Sequence, residues 1–590
     1  MNGDALQFHH LSYAYPPPVP EGSPLPVLRG IHFSVPRGER AVLLGRTGVG
    51  KTTLLLTTVG IVPQRTGGIL QGETRVLGHD ARYTPVPDLA RHVGFLFQDP
   101  EAQLFHVRVD DEVAFALENL GLPEEEISRR VAWALDVVGL RGLEARRPAH
   151  LSGGQKQRLA LAAVLAMSPP ILVLDEPTAN LDPVGRAELL HTLEQVLAQE
   201  RTLLLATQEI DWAVELDPTF HALHEGERVF SGSREDLFRR GDRLHTWGIP
   251  LPQVMAAAHA LRRRGIPTPP LFTPEEAIPR WCDLLRGRPS LPAPPSSPAA
   301  APPSPALPPL REPPPHVRVE GLRYVYDDGT EALRGIDWEV APGEFVALVG
   351  ANAAGKSTLA KHLNGLLHPT EGRVLLDSVD TRSRSVAQWA RHVGYVFQSP
   401  DHQIFAPTVW EEIAFAPRNL GWPEEATRRA VQEMLEVFEL TPWAHTPPAI
   451  LGMGLRRKVA LASVLVARPP ILILDEPTAG LDGASAAELM NRVAAFHRAG
   501  HTVILITHDM RLVATWAPRT TVMADGRILF DGRPQDLFAR PHVLERAHLV
   551  PPPIVRVAMA LQACGFPPGV LDVDTFVEAF VALYGEGPHD

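Results

Sequence analysis

The sequence repeats itself at long range, and this repeat constrains the possible folds more than any other feature. RHVGFLFQDPEAQLF, from Arg91, returns as RHVGYVFQSPDHQIF, from Arg391. PPILVLDEPTANLD, from Pro169, returns as PPILILDEPTAGLD, from Pro469. Both pairs are 300 residues apart. Because this spacing exceeds the length of a typical domain, the 590 residues are predicted to contain two copies of one module.

Between the two copies the sequence loses the composition of a folded domain. Residues 289–315 read PSLPAPPSSPAAAPPSPALPPLREPPP. Such a segment cannot bury a core and favours an extended polyproline geometry. At about 3.1 Å per residue it could span roughly 80 Å. We therefore expect a linker at 289–316 that is long enough to let the two copies pack against each other.

Charge and cysteine content argue against several classes of protein. A formal net charge of −12 does not suit a chain that coats nucleic acid, because phosphate binding depends on clustered Lys and Arg. The two cysteines, Cys282 and Cys564, form no CxxC pair, so a disulfide scaffold or a zinc site is not expected. Both are predicted to be small buried hydrophobic residues in a reducing compartment. Neither a signal peptide nor a membrane span is expected from the apolar pattern.

Each copy contains a glycine-rich turn between a strand-like run and a helical segment. The turns read GRTGVGKT and GANAAGKS and fit the phosphate-binding P-loop pattern GxxxxGK[ST]. In this pattern backbone N–H groups surround the phosphates, the lysine reaches the β- and γ-phosphates, and the final hydroxyl is offered to Mg²⁺. The predicted nucleotide-binding residues are Gly45, Arg46, Thr47, Gly48, Val49, Gly50, Lys51 and Thr52, with Gly350, Ala351, Asn352, Ala353, Ala354, Gly355, Lys356 and Ser357.

A buried strand that ends in two acids follows in each copy. ILVLDE ends in Asp175 and Glu176, and ILILDE ends in Asp475 and Glu476. The aspartates are predicted to orient Mg²⁺ through water, and the glutamates to polarise the attacking water. Together with the P-loops, these acids predict ATP hydrolysis with Mg²⁺ as cofactor.

With these motifs the sequence resembles the ATP-binding cassette ATPases, because the first copy also carries LSGGQ, from Leu151 to Gln155. The resemblance implies two α/β P-loop domains, each with a small antiparallel β subdomain, a helical subdomain and a C-terminal helical tail. It implies D-loops around Asp182 and Asp482. It further implies nucleotide contacts from Ser152, Gly153, Gly154 and Gln155, adenine stacking by Tyr15 and Tyr326, and Q-loop roles for Gln98 and Gln398.

The same comparison predicts the domain boundaries. The cassettes are assigned to residues 1–240 and 317–540, and the tails to 241–288 and 541–590. The tail segment LPQVMAAAHALRRRGIP, from Leu251, aligns with PPPIVRVAMALQACGFP, from Pro551. Similar tails contact one another across the dimer, although an independent helical appendage is an equally open interpretation.

A narrower resemblance is to the ATPases of energy-coupling factor transporters. It rests on FQDPEAQLF…DEVAFALENLGLP, from Phe97, and FQSPDHQIF…EEIAFAPRNLGWP, from Phe397. In that family the segment forms a groove for the cytoplasmic helices of a membrane scaffold. Val109, Val113, Ala116, Leu117 and Leu120 form one apolar helical face, for which partner docking and core packing both remain open. Pro417 replaces Leu117 in the second copy, which predicts a shortened or kinked helix.

This resemblance implies specific partners and a location. The partners would be an integral-membrane scaffold (T-type) subunit and a substrate-binding (S-type) membrane subunit, with no nucleic acid. The chain would lie at the cytoplasmic face of the cell membrane as a peripheral subunit, with its cassettes paired within one chain. The cargo would be a vitamin, a vitamin precursor or a transition-metal ion. The alternatives are the tandem ATPase of a sugar-type importer and a soluble tandem cassette protein that acts on ribosomes.

The two copies differ at positions that the family uses for catalysis. LSGGQ is replaced by LGMGL, from Leu451 to Leu455, and ATQE with Gln208 is replaced by ITHD with His508. Head-to-tail pairing would combine Gln208 with LGMGL in the site of Lys51, and His508 with LSGGQ in the site of Lys356. We therefore expect one effective site and one poor site. The predicted catalytic residues are Glu476, His508 and Gln398, with Glu176 and Gln98, and the predicted metal-binding residues are Thr52, Gln98, Asp175, Ser357, Gln398 and Asp475.

Overall fold

The computed structural model describes residues 3–17, 23–178, 181, 183–198, 200–286 and 316–585. They form two units, one of Met1–Ala256 with Asp482–Ala484, the other of Ala257–Leu481 with Ser485–Asp590. Apart from His316, the predicted linker at 289–316 lies outside the described residues, as does Asp182 of the first predicted D-loop. The domain boundaries set from the repeat stay predictions.

The first unit contains two sheets. Its strands are β1 (Asp4–Tyr15), β2 (Leu25–Pro36), β3 (Arg40–Leu44), β4 (Ile69–Val76), β5 (His79–Asp80), β6 (Val93–Leu96), β7 (Ile171–Asp175), β8 (Thr202–Ala206), β9 (Thr219–His224) and β10 (Glu227–Gly232). The small antiparallel sheet has the order β2-β1-β4-β5. The larger sheet has the order β10-β9-β3-β8-β7-β6 and is parallel except for β10.

Helices cover the parallel sheet of the first copy and lead into its tail. They are α1 (Lys51–Thr58), α2 (Ile61–Gln64), α3 (Val86–Ala90), α4 (Val109–Asn119), α5 (Glu124–Val137), α6 (Gly153–Ala166), α7 (Pro183–Leu197), α8 (Ile210–Ala213), α9 (Arg234–Arg239), α10 (Gly241–Leu244), α11 (Gln253–Arg263) and α12 (Pro274–Arg286). Strands β7 and β8 are buried along their whole length, as expected for parallel strands that are covered on both faces.

The second copy has the same topology. Its strands are β11 (Val317–Val325), β12 (Glu331–Val340), β13 (Phe345–Val349), β14 (Glu371–Leu376), β15 (Val379–Asp380), β16 (Val393–Val396), β17 (Ile471–Asp475), β18 (Thr502–Thr507), β19 (Arg519–Ala524) and β20 (Arg527–Gly532). They form sheets of order β12-β11-β14-β15 and β16-β17-β18-β13-β19-β20. The α/β fold with a small antiparallel sheet, predicted for each copy, is confirmed.

The helices of the second copy follow the same plan, with a tail at the C-terminal end. They are α13 (Lys356–Leu363), α14 (Val386–Trp389), α15 (Val409–Asn419), α16 (Glu424–Val437), α17 (Met453–Leu465), α18 (Gly483–Arg498), α19 (Met510–Trp516), α20 (Pro534–Phe538), α21 (Pro541–Arg546), α22 (Pro553–Leu561) and α23 (Val573–Tyr584). The P-loop and the paired acids of each copy thus lie at the carboxyl ends of parallel strands, where ligands bind in open α/β sheets.

The predicted shortening of the helix with Pro417 is wrong. Helix α15 has 11 residues, the same length as α4. Proline removes one backbone donor, but its ring is buried at the place of Leu117, which is itself fully buried with Val109 and Val113. These positions of the apolar face therefore serve core packing, one of the two alternatives left open by the sequence.

The expectation of unpaired, buried cysteines is also wrong. Cys282, in α12, forms a disulfide bond with Cys564, which follows α22, and both side chains are half-buried. Helix α12 packs against α22 and α23 inside the second unit. Trp281 is fully buried there, with its ring centroid 5.1 Å from that of Phe576. Of the two alternatives for the tails, the structure shows that they contact one another.

Within the described residues, no helix combines the length and the apolar character needed to cross a membrane.

Candidate functional site

The first P-loop follows strand β3 and is folded around its own lysine. A Cβ added at Gly45 would lie 2.7 Å from the carbonyl oxygen of Leu223, so this turn requires glycine. Lys51 Nζ donates hydrogen bonds to the carbonyl oxygens of Gly45, at 2.7 Å, and Arg46, at 3.2 Å. These contacts hold the curved backbone whose N–H groups can surround a phosphate.

Thr52 and the two acids at the end of β7 meet beside this loop. Thr52 Oγ1 donates to Asp175 Oδ2 at 2.6 Å, and Glu176 Oε1 lies 3.6 Å from Lys51 Nζ. The backbone φ of Glu176 is 46°, a left-handed conformation that is strained for a glutamate and typical of functional sites. The structure thus brings together Lys51, Thr52, Asp175 and Glu176, as the motif spacing predicts.

The second copy builds a similar arrangement, in which a tyrosine contacts the aspartate. Lys356 Nζ donates to two carbonyl oxygens of its own loop, both at 2.8 Å. Asp475 Oδ2 accepts a hydrogen bond from the Tyr395 hydroxyl at 2.9 Å. Burial raises the pKa of Asp475, against the effect of the neighbouring Ser357 hydroxyl. Glu476 has a backbone φ of 46°, the same value as its counterpart.

Ala353 stands where the first P-loop has Gly48. Their φ angles, 64° and 85°, are both left-handed. A Cβ added at Gly48 would meet no described atom within 4 Å, so alanine fits this position sterically. The free-energy cost of Ala353 therefore comes from its left-handed backbone and not from a steric clash, so the loop can keep its shape.

The two sites differ in a residue just after the end of β8 or β18, which is Gln208 in the first copy and His508 in the second. His508 Nδ1 lies 2.7 Å from Glu476 Oε1, within hydrogen-bond distance. Gln208 donates its backbone N–H to Glu176 Oε2 at 3.1 Å. Its side-chain Nε2 donates to Thr47 Oγ1 at 3.2 Å instead. In the second site the glutamate therefore lies beside the His508 imidazole. In the first site the Gln208 amide contacts the P-loop instead.

The two glutamates differ in electrostatics for the same reason. Burial would raise the pKa of Glu476, but the charge and hydrogen bond of His508, with the charge of Lys356, hold this pKa below its ordinary value. Burial raises the pKa of Glu176 above its ordinary value, against the charge of Lys51. Glu476 is thus the more firmly ionised of the two carboxylates.

The signature sequences also differ in local structure. Ser152 is the N-cap of α6, where its Oγ accepts the backbone N–H of Gln155 at 3.3 Å. Gln155 Oε1 in turn accepts the backbone N–H of Ser152 at 3.0 Å, which completes a capping box. In the second copy Gly452 is the N-cap of α17 and has no side chain to supply this contact. Gly153 and Gly154 form the first turn of α6, whereas Met453 begins α17.

The predicted aromatic and Q-loop residues lie around the P-loop sheets. Tyr15 and Tyr326 are half-buried, and their hydroxyls contact Thr53 and Thr358 of the P-loop helices at 3.2 and 3.0 Å. The two Q-loop glutamines, Gln98 and Gln398, are exposed just after β6 and β16.

Two further residues contact the sites. Asp482 was predicted only as part of a D-loop, and Arg457 was not predicted from the motifs. Asp482 lies against the first P-loop, accepting the backbone N–H of Thr47 at 3.4 Å. Arg457 is buried and donates to the carbonyl oxygens of Glu476 and Pro477, both at 3.2 Å. The first copy has glutamine at the position of Arg457. This difference between the copies is the sequence feature that could have pointed to Arg457.

The donor set beside each P-loop fits Mg²⁺, which prefers oxygen and is usually held by one or two protein groups with phosphates and water. Asp175 Oδ1 is buried and finds no hydrogen-bond partner among the described residues. With Thr52 it offers two oxygens, as do Ser357 and Asp475. The described chain holds no cluster of three or more His, Cys, Asp or Glu suited to a metal. The phosphates of a nucleotide would therefore have to complete the coordination.

An exposed pair of phenylalanines marks the same surface of each copy. Phe105 and Phe115 are 65% and 38% exposed, and Phe405 and Phe415 are 65% and 47% exposed. Their ring centroids are 4.9 and 4.6 Å apart, in edge-on contact. We call each pair, Phe105 with Phe115 and Phe405 with Phe415, an aromatic pair.

A buried carboxylate holds each aromatic pair in place. Glu112 Oε2 accepts the backbone N–H groups of Phe105, at 2.9 Å, and His106, at 2.8 Å. Glu412 does the same for Phe405 and Ala406, at 3.0 and 2.8 Å. These glutamates are 5% and 3% exposed and were not predicted as functional residues. The loop before α4 and α15 is thus fixed by an interior acid.

The sequence profile of the ABC transporter family matches residues 28–179 and 333–479, which together are half of the chain. This protein belongs to the ABC transporter family. It is an ATP-binding subunit of a transporter, and it is an ATPase.

Relatives of this ABC protein are similar to it along nearly its whole length. A provisionally named ABC transporter ATP-binding protein of Methanosarcina acetivorans is 39% identical over 97% of this chain and 94% of that protein. YkoD of Bacillus subtilis, provisionally named an HMP/thiamine import ATP-binding protein, is 31% identical over 95% of this chain and 97% of its own. The solved structure of cbiO1 from Clostridium perfringens, part of the ABC transporter complex cbiONQ, is 36% identical, covering 39% of this chain and 93% of that one, with a TM-score of 0.36.

Proposed function

We propose that this ABC ATPase energises an importer of the energy-coupling factor type, whose cargo is a vitamin, a vitamin precursor or a transition-metal ion. The observation that carries the proposal is the aromatic pair on each copy. It lies in the segment that resembles the scaffold-binding groove of that family. The name of YkoD, a thiamine-related import protein similar along nearly the whole chain, supports the same class.

The aromatic pairs have the properties of a docking surface for a membrane subunit. Large aromatic side chains that stay exposed in the isolated chain are enriched at protein interfaces. Glu112 and Glu412 fix the backbone that presents them, so little order has to be gained when a partner binds. We assign the partner as an integral-membrane scaffold (T-type) subunit, which would recruit a substrate-binding (S-type) subunit and hold this chain at the cytoplasmic face of the membrane.

Each P-loop has an assigned set of roles in this proposal. Lys51 and Lys356 would bind the β- and γ-phosphates, and Tyr15 and Tyr326 would stack on adenine. Mg²⁺ would be held by Thr52 with Asp175, and by Ser357 with Asp475, aided by Gln98 and Gln398. When bound, it neutralises charge on the β- and γ-phosphate oxygens.

The two sites are proposed to work unequally. Glu476 accepts a proton from the attacking water, and His508 keeps this carboxylate ionised and oriented. Glu176 lacks such a partner, because the Gln208 side chain turns to Thr47. If the cassettes pair head to tail within one chain, the second site also receives the capped signature of Ser152, while the first receives LGMGL. The first site would then mainly hold nucleotide and support closure.

The docking proposal is tested by co-purification in detergent. The chain is expressed with the membrane proteins of its own cells, as wild type and as the double variant Phe115→Ser/Phe415→Ser. We expect the wild type to retain integral-membrane polypeptides and the variant to lose most of them, with ATP-analogue binding unchanged. Tyr83→Ser, at a 75% exposed aromatic elsewhere on the first unit, is the matched control and should retain them. Equal recovery of membrane polypeptides by all three proteins contradicts the proposal.

A further inference from the structure

A buried tyrosine contacts the metal-site aspartate in the second copy only. Tyr395 lies on β16, next to β17, and pairs with Ile473 two residues before Asp475. Its side chain is buried, and its hydroxyl donates to Asp475 Oδ2 at 2.9 Å. The contact needs no ligand and no rearrangement.

The first copy has the same strand pairing, but a phenylalanine without the hydroxyl stands at the equivalent position. Phe95 lies on β6 and pairs with Val173, two residues before Asp175. The Phe95 ring centroid lies 4.6 Å from that of Phe97, with 51° between the planes, and the corresponding values for Tyr395 are 4.8 Å and 47°. Ring position and strand register are therefore matched, and one oxygen atom is the difference.

This oxygen changes how firmly the aspartate is held. Asp175 accepts a hydrogen bond from Thr52 on Oδ2, while its Oδ1 finds no partner in the described part of the chain. Asp475 Oδ2 accepts its hydrogen bond from Tyr395, which lies outside the P-loop. A metal ion bound at Thr52 would compete for the donor of Asp175, whereas a metal ion at Ser357 would leave the Tyr395 contact in place. Outer partners of this kind orient a metal-binding group and commonly change metal affinity 10- to 100-fold.

We propose that Tyr395 is a positioning residue that gives the second P-loop site a higher affinity for divalent cations than the first. The proposal rests on the assignment of Asp175 and Asp475 to the Mg²⁺ sites. It is independent of the membrane partner, and it adds a further difference between the copies to those already described.

The test exchanges the two natural residues in the full-length chain. Mn²⁺ serves as the probe, and its binding is followed by electron paramagnetic resonance in the presence of a non-hydrolysable ATP analogue. Two affinities are expected for the wild type. Tyr395→Phe should weaken the tighter one about tenfold, and Phe95→Tyr should tighten the weaker one. Analogue binding in the presence of a chelator should be unchanged in both variants, because neither side chain is placed on the nucleotide.

Turnover gives a second readout. In Tyr395→Phe the Mg²⁺ concentration for half-maximal ATP hydrolysis should rise with the Mn²⁺ constant, while kcat at saturating Mg²⁺ stays within about twofold. Unchanged Mn²⁺ affinities in Tyr395→Phe overturn the proposal, also if its melting temperature falls, because the hydroxyl would then serve packing alone. A failure of the importer assignment would leave these cation affinities as they are, so the two outcomes can be told apart.

Discussion

Breaking the bond between Cys282 and Cys564 should destabilise the second unit by several kilocalories per mole. The two cysteines are 282 residues apart, so the bond keeps a closed loop of that length in the unfolded chain. Chain-entropy reasoning for such a loop gives about 5.6 kcal/mol at 25 °C. This free energy arises in the unfolded state, because the cross-link removes conformations that an open chain could occupy.

The folded state should change little on reduction. Trp281 remains buried between Phe576 and Phe580, with ring centroids 5.1 and 6.0 Å away. Arg556 also forms an ion pair with Glu275 across the same contact. These contacts do not depend on the sulfur atoms, so the tails should stay docked in the absence of denaturant when the thiols are reduced.

Urea unfolding followed by circular dichroism at 222 nm measures the difference. The oxidised wild type is compared with the double variant Cys282→Ser/Cys564→Ser, and both are repeated with a phosphine reductant. At an m-value of about 3 kcal/mol/M, the transition of the second unit should move down by about 2 M in the variant. Reductant should bring the wild type to the same midpoint and leave the variant where it is.

A cut in the linker provides an independent check on connectivity. With a protease site inserted between residues 289 and 315, the cleaved wild type should run as one band on a non-reducing gel and as two bands after reduction. Two bands without reductant would show that the bond does not join the copies. A midpoint difference below about 0.3 M, near the precision of such curves, would refute the entropic reasoning.

Two further predictions concern catalysis and pH. Steady-state ATPase rates of the reconstituted transporter should fall at least 100-fold in Glu476→Gln and less than about fivefold in Glu176→Gln, and equal losses would remove the case for unequal sites. His221 is buried against Phe33, and burial lowers its pKa to about 3, so the folded state stays neutral while the unfolded state takes up a proton below pH 6.5. Stability should therefore be lost as pH falls from 6.5 towards 3, by about 2 kcal/mol at pH 5. Urea curves at pH 7.5 and 5.0 should show this loss in the wild type and a smaller one in His221→Gln.

The nucleotide-binding elements could be predicted from the sequence because their chemistry is local. A P-loop needs glycines and a lysine within eight residues, and the paired acids end a strand whose apolar run marks it as buried. The long repeat then supplied each motif twice, in the same order, which excluded chance matches. The burial of β7 and β17 follows from the same apolar runs, whereas the small antiparallel sheet of each copy was implied by the family resemblance alone.

Features that depend on distant partners could not be predicted in this way. The disulfide joins residues that are 282 positions apart, and a count of two cysteines carries no information about their proximity. The helix with Pro417 keeps its length because the proline ring is buried in place of Leu117. This is a packing effect, which the helix propensity of proline does not predict. The roles of Glu112 and Glu412 depend on backbone donors six and seven residues away, in a loop whose shape the sequence leaves undefined.

The differences between the copies at the carboxylates all favour the second copy. Drift at random positions would affect donors in both sites, yet two donors to catalytic or metal-site carboxylates belong to the second copy. His508 contacts Glu476 and Tyr395 contacts Asp475, while Gln208 and Phe95 leave Glu176 and Asp175 without those contacts. Tyr395 lies on β16 and His508 follows the end of β18, so a single local change does not account for both. A chain that needs one hydrolysing site and one holding site would keep this combination, because the fused copies always supply one of each.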